Sequence, residues 1–201
     1  MKKLFQISLF ILALILFVFI ILSIRKYIYI TKFINRINSY SSMDNLSLSV
    51  IDTSSPNDKI TFYKSENISL YKQNNKTIYK DTDNTYYFEN DELEDDTTSD
   101  YSKIIEKTNI LLPSIDLNNF WNRLKLSTSF DTNIITHTYN NVNCYKFTFI
   151  NYDKNNPTAI YTIYLNMETF DPIFIQINSN NYEYNISENT VTNEDIKIPE
   201  I

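Results

Sequence analysis

The chain carries one histidine and one cysteine. The stretch "ITHTYNNVNCYKF" sets His137 and Cys144 seven residues apart. On a hairpin, that spacing lets a thiol and an imidazole meet across strands, the start of a nucleophile–base pair. Such a pair also needs an oxyanion donor and a group that orients the base, and the sequence supplies neither. A zinc site would need thiolate or imidazole ligands beyond these two. The adjacent carboxylates Asp95 and Asp96 lie in "DELEDDTTSD" at 91–100, a solvated acidic loop rather than a tuned acid–base pair. That loop also lacks the ligand spacing and central glycine of an EF-hand. "DTDNT", from Asp81, has the oxygens for a weak Ca²⁺ site but reads better as a hairpin turn. The chain contains no glycine, which excludes the phosphate-cradling loops of nucleotide-binding enzymes. These residues predict a non-enzyme with no metal and no cofactor.

Without glycine, turns that need positive φ must use Asn or Asp, the next most tolerant residues. The sequence supplies them in "QNNK", "DTDN", "YNNVN", "DKNN" and "NSNN". A net charge of −6 argues against a nucleic-acid partner. Cys144 has no second cysteine with which to form a disulfide. It also lies too far from the N-terminus to serve as a lipoprotein anchor.

The residues that could position a site begin with "MKKLFQISLFILALILFVFIILSIRKY". From Leu4 to Ile24 this run is apolar except for Gln6 and two serines. As a helix its roughly 21 residues rise about 31 Å, close to the thickness of a bilayer's hydrocarbon core. A cleavable signal peptide has a shorter apolar region that ends at small residues. This run is longer and ends in "SIRKYIYI", so it predicts an uncleaved anchor over residues 1–27. Lys2 and Lys3 precede it, while Arg25, Lys26, Lys32 and Arg36 follow it. The positive-inside count taken literally places the body in the cytoplasm. The short "MKK" start resembles bacterial export signals, and the expectation adopted is an extracytoplasmic body on a single-pass anchor in the cell membrane.

Residues 28–42 predict an amphipathic helix, with Ile30, Phe33, Ile34, Ile37 and Tyr40 on one stripe. That stripe either packs on the chain's own domain or lies on lipid. From Met43 the period changes to alternation. "NLSLSVI", "KITFYK", "NISLYK", "KTIYK" and "TYYFEN" predict successive antiparallel hairpins. "LPSIDLNNFWNRLKL" interrupts them with a helix capped by Asp116, its stripe formed by Leu117, Phe120, Trp121 and Leu124. Strands resume with "IITHTY", "NCYKFTFIN", "AIYTIYLN", "PIFIQIN" and "YEYNIS". Tyr145, Phe147 and Phe149 share a face, as do Tyr161, Ile163 and Leu165, and then Ile173, Ile175 and Ile177. The fold class is α+β: an N-terminal transmembrane helix, then a curved antiparallel sheet of nine to eleven strands. One or two helices, at 30–41 and 116–126, cover one face.

"CYKFTFIN" followed by "YTIYLNMETFDPIFIQI" resembles a strand–hairpin–strand passage of the LolA-like proteins, the superfamily of outer-membrane lipoprotein carriers. Met167 to Pro172 occupy the turn. "YEYNISENTVTNEDIKIPEI" is similar to that family's closing strand and tail, while the first half matches in element order only. The resemblance covers residues 28–201 and implies a LolA-like half-barrel over 43–201 with an apolar cavity beneath a helical lid. It implies a lipid or a lipidated protein as ligand. A permanent tether does not suit a shuttle. Phe62, Leu70, Trp121, Phe147, Phe149, Ile163 and Ile175 are the candidate cavity residues, or they fill an ordinary core. The two functional expectations are an apolar-ligand-binding domain and an envelope interaction or sensor module without a ligand.

Overall fold

The computed structural model describes residues 2–94, 99–108, 117–151, 159–192 and 194–197. Asp95, Asp96 and Asp116 lie outside them. A single helix, α1 (Lys2–Ser42), opens the chain. Its 41 residues span about 61 Å and contain neither glycine nor proline, so nothing in the sequence breaks it. Between Leu4 and Ile24 nearly every large apolar side chain is exposed. From Ile30 onward the helix enters the domain, and Phe33 is 0% exposed. The apolar run and the amphipathic stretch are therefore one rod, and the stripe of Ile30, Phe33, Ile34 and Tyr40 packs on its own domain.

Eleven strands follow among the described residues: β1 (Asn45–Asp52), β2 (Ile60–Ser65), β3 (Ile68–Gln73), β4 (Lys76–Lys80), β5 (Thr85–Glu89), β6 (Glu92–Glu94), β7 (Asn133–Tyr139), β8 (Val142–Asn151), β9 (Ala159–Asn166), β10 (Pro172–Ile177) and β11 (Asn180–Glu188). They form one open antiparallel sheet ordered β6-β5-β4-β3-β2-β1-β11-β10-β9-β8-β7. The chain meanders outward to β6, returns to the far edge at β7, and meanders inward until β11 pairs with β1. Two further helices are α2 (Ser99–Thr108) and α3 (Phe120–Thr128).

Register assigns the faces. Leu48 stands opposite Phe62 and Ile186, Phe62 opposite Tyr71, Ile163 opposite Phe147 and Ile175, and Tyr161 opposite Phe149. All of these side chains lie on one face, and two helices cover it. The C-terminal part of α1 packs over β1 and β8–β11, forming a core with Phe147, Phe149, Ile163, Leu165, Ile175 and Tyr184. α2 packs over β2–β5, burying Tyr101 and Ile104 against Ile60 and Ile78.

Three expectations change. The second covering helix is α2, whose stripe of Tyr101, Ile104, Ile105 and Thr108 has helical spacing behind the acidic run. That run is not all loop, since β6 takes up Glu92–Glu94 and α2 starts at Ser99. The helix expected at 116–126 is α3, which packs chiefly beside α1, with Leu126 reaching the main core, and its cap is Asn119, whose side chain accepts from the Trp121 amide. Ile173 does not join the inward row, because the β9–β10 register slips between Pro172 and Phe174. A bulge of this kind lets Pro172 start the strand without breaking its ladder.

Nine described residues have positive φ, six of them Asn and one Asp. Asn90–Asp91 and Asn140–Asn141 each place two consecutive residues there, the geometry of tight hairpin turns. The other two are Glu66 and Phe170.

Candidate functional site

The turn Met167–Asp171 fastens the sheet to α1. Asn166 builds it, its side-chain oxygen accepting from the amides of Glu168 and Thr169 at 2.8 and 3.2 Å. Phe170 is held at φ 63° and buried between Tyr29 and Tyr145, with ring centroids at 6.0 and 5.5 Å. A non-glycine residue there costs on the order of 1–3 kcal/mol, a cost offset here by burial of the ring. Next to it, Asp171 accepts from Arg36 Nε and from the Tyr40 hydroxyl, both at 2.5 Å. The same guanidinium bonds Glu188 of β11. Burial works against the Arg36 charge, but the Asp171 and Glu188 carboxylates outweigh it and hold the guanidinium more firmly protonated than usual. Burial pushes the Tyr40 phenol well above its ordinary value, and the bond to Asp171 adds to the shift. The cluster therefore locks helix, hairpin and closing strand together.

Beyond this lock the covered face is not completely filled. A cleft of about 300 Å³ remains between the end of α1, the end of α2 and strands β1–β3 and β11. Its apolar lining includes Ile37, Leu46, Leu48, Phe62, Tyr71 and Ile186. Its polar lining is Tyr40, Ser41, Thr108 and Lys64. The Lys64 ammonium donates to the Ser41 carbonyl at 2.8 Å, which places a cation at the edge of an apolar slot. Burial raises the pKa of the Tyr71 phenol, so the hydroxyl stays neutral.

The seven candidate cavity residues do not form one site. Phe147, Phe149, Ile163 and Ile175 come together, but beneath α1 and within the filled core. Phe62 alone lines the cleft. Leu70 is fully buried on the opposite face, with Tyr79 and Phe88, because it pairs with Tyr63 and alternation turns both away from Phe62. Trp121 is 71% exposed at the start of α3. Sequence reasoning missed Ile37, Lys64, Leu48 and Tyr71 as cleft residues. The signal was present in the alternation of Ile60, Phe62 and Lys64, which carries a charge along an inward face.

His137 and Cys144 are register partners on β7 and β8. The thiol donates to the His137 backbone carbonyl at 3.3 Å, and burial raises its pKa. The imidazole lies against the Tyr164 ring, tilted to it by 51° with centroids 5.2 Å apart. A protonated, buried thiol bonded to a carbonyl is the opposite of an activated nucleophile. At "DTDNT", Asp81 spends its carboxylate on the amides of Asn84 and Asp83, at 2.7 and 2.9 Å, as a turn former does. Among the described residues, no three His, Cys, Asp or Glu side chains gather as a metal site would require.

No protein-family model matches the chain. No curated protein sequence matches it either. Among solved structures it is similar to the lipoprotein LppX of Mycobacterium tuberculosis, at 10% identity and a TM-score of 0.40, over 82% of this chain and 97% of that one. A likeness of that degree carries neither ligand nor role across.

Proposed function

We propose that the chain is a single-pass membrane protein whose extracytoplasmic body binds one apolar chain, from a lipid or a lipidated protein, in the cleft beneath Lys64. The observation that carries this reading is an apolar slot left open where α1 stops covering the sheet, with a cation at its edge. Its volume of about 300 Å³ is at the small end for ligand pockets and suits a single chain. Burying about eight methylenes gains about 6 kcal/mol, at about 0.8 each. Association costs of about 4 kcal/mol or more take up most of that gain, so exchange is fast. Lys64 suits an anionic head group at the mouth. The anchor rests on the exposed apolar run of α1, the one helix among the described residues long and apolar enough to cross a membrane.

The filled core around Phe147 and Ile163 supports a second reading, an envelope interaction module that holds no ligand. Photolabelling separates the two. The full chain is reconstituted in vesicles that contain a fatty acid with a diazirine at its tail. Label on peptides carrying Leu48, Phe62 or Tyr71, lost in Leu48→Trp, supports the cleft. Label confined to residues 4–24 removes it and leaves the interaction module. Protease protection in oriented membranes tests which side the body occupies.

A further inference from the structure

Apart from Leu126, which joins the core, α3 packs along the anchor. The Phe120 ring lies 5.9 Å from Tyr27, and the Phe130 ring 5.4 Å from Phe19. Between these contacts an apolar cleft of about 350 Å³ is lined by Phe19, Ile20, Ile24, Phe120 and Leu124. Tyr27 and Phe19 are eight residues apart, about 12 Å along α1. α3 thus runs antiparallel to the anchor, with Phe130 at the level of a residue about 8 Å inside the end of the apolar run at Ile24. Phe130 is 89% exposed, Trp121 71% and Phe120 50%. Exposed aromatics of this size do not normally cluster on a surface that faces water.

From this we infer that α3 and the turn after it are a second membrane-contacting element, dipping into the bilayer that α1 crosses. The inference rests on the reading of α1 as a membrane anchor. The bilayer is the one occupant that fits, because the exposed aromatics lie alongside the apolar run and at its depth. Trp121 lies near the level of Tyr27, where the apolar run gives way to Arg25 and Lys26, the position where tryptophan suits a membrane interface. Phe130 lies deeper. Lys26 reaches back to the Ser129 carbonyl at 3.0 Å, and Arg123 sits over the Tyr27 ring at 5.8 Å. Cations around the aromatics match the pattern of an interfacial helix. Asp131 follows Phe130 directly and limits how far the turn enters. The domain then has two contacts with the bilayer, so its sheet holds a fixed attitude to the surface.

Trp121 is the only tryptophan, so the wild-type full chain reports on itself. The chain is reconstituted in phosphatidylcholine–phosphatidylglycerol vesicles, with and without lipids brominated at graded depths along the acyl chain. Alkaline carbonate extraction followed by flotation reports the anchor separately. The expected result is that the protein stays with the vesicles, its emission is shifted to the blue, and shallow bromines cause the greatest loss of intensity. Trp121→Phe combined with Phe130→Trp should move the greatest loss to deeper bromines. Protein that stays with the vesicles, yet shows water-like emission quenched by aqueous iodide and untouched by bromolipids, overturns the inference and leaves the anchor standing. Protein released by carbonate overturns both.

Discussion

If the end of α1 is core as well as tether, a body that starts at Met43 should not survive as a folded domain. Cutting there removes Ile30, Phe33, Ile34 and Tyr40, all buried. It uncovers Phe147, Phe149, Ile163, Leu165 and Ile175 on the sheet. Full burial stabilises each of these five by about 1.5–3 kcal/mol, and losing the cover on one side forfeits about half of that. The sum is about 4–8 kcal/mol. A domain of this size has a total stability of about 5–15 kcal/mol, so the loss takes most or all of it. Loss of the Arg36 lock adds to the deficit.

The comparison is between bodies that start at Arg25 and at Met43, each unfolded in urea and followed by circular dichroism. The longer body should unfold cooperatively. The shorter should lack a cooperative transition or aggregate. Phe33→Ala in the longer body gives a graded version, with an expected loss of about 3–5 kcal/mol from the cavity it opens. A shorter body that unfolds cooperatively at the same midpoint would refute the argument, and so would a Phe33→Ala cost under about 1 kcal/mol.

Arg36→Ala should cost about 2 kcal/mol by leaving the Asp171 carboxylate without its charged donor, and a double-mutant cycle with Asp171→Asn should show coupling of the same order. Alkali should destabilise the domain. Burial raises the Tyr40 and Tyr184 phenols, and burial with the Glu183 carboxylate pushes Tyr139 up to about 12, all from an ordinary 10.0. The folded protein therefore keeps protons that the unfolded chain releases, and stability that is complete below pH 10 falls as pH rises through 10 toward 12. Urea midpoints across that range check the fall, and Tyr40→Phe should flatten it. Cys144 should react with maleimide only as fast as the domain opens. Labelling of the native protein at the rate of a free thiol would contradict its burial.

Period and length made most of the fold legible. Ten of the strands announced themselves by alternation, and the asparagine turns followed from the missing glycine. What escaped was local in each case. α2 begins at Ser99, just after a run of acidic residues that masks its stripe, and β6 is three residues long. Leu70 fills a core rather than the cleft, because alternation says which residues share a face but not which face is covered. Register supplied that: Tyr63 stands opposite Leu70, so Leu70 turns from the cleft. The helical spacing of Trp121 with Leu117 and Leu124 suits a cavity wall or a core equally, yet the ring is 71% exposed. Spacing cannot tell a stripe that faces a sheet from one that faces a neighbouring helix.

The unbroken α1 bears on how a ligand would arrive. No glycine or proline between Lys2 and Ser42 allows a hinge, so the body does not swing on a flexible leash. Ile37 and Tyr40, which line the cleft, lie about 20 and 24 Å beyond Ile24 along the helix axis. The cleft between α1 and α3 and the upper cleft at Lys64 are separated by the packed core of Phe33, Phe147 and Ile163. If α1 crosses a membrane as proposed, a chain in the upper cleft has left the bilayer altogether. With the interior route blocked by close packing, such a chain would have to arrive over the outside of the domain. On the proposed reading, an unbroken rod suits receiving or presenting an acyl chain at a fixed height rather than shuttling it across a compartment.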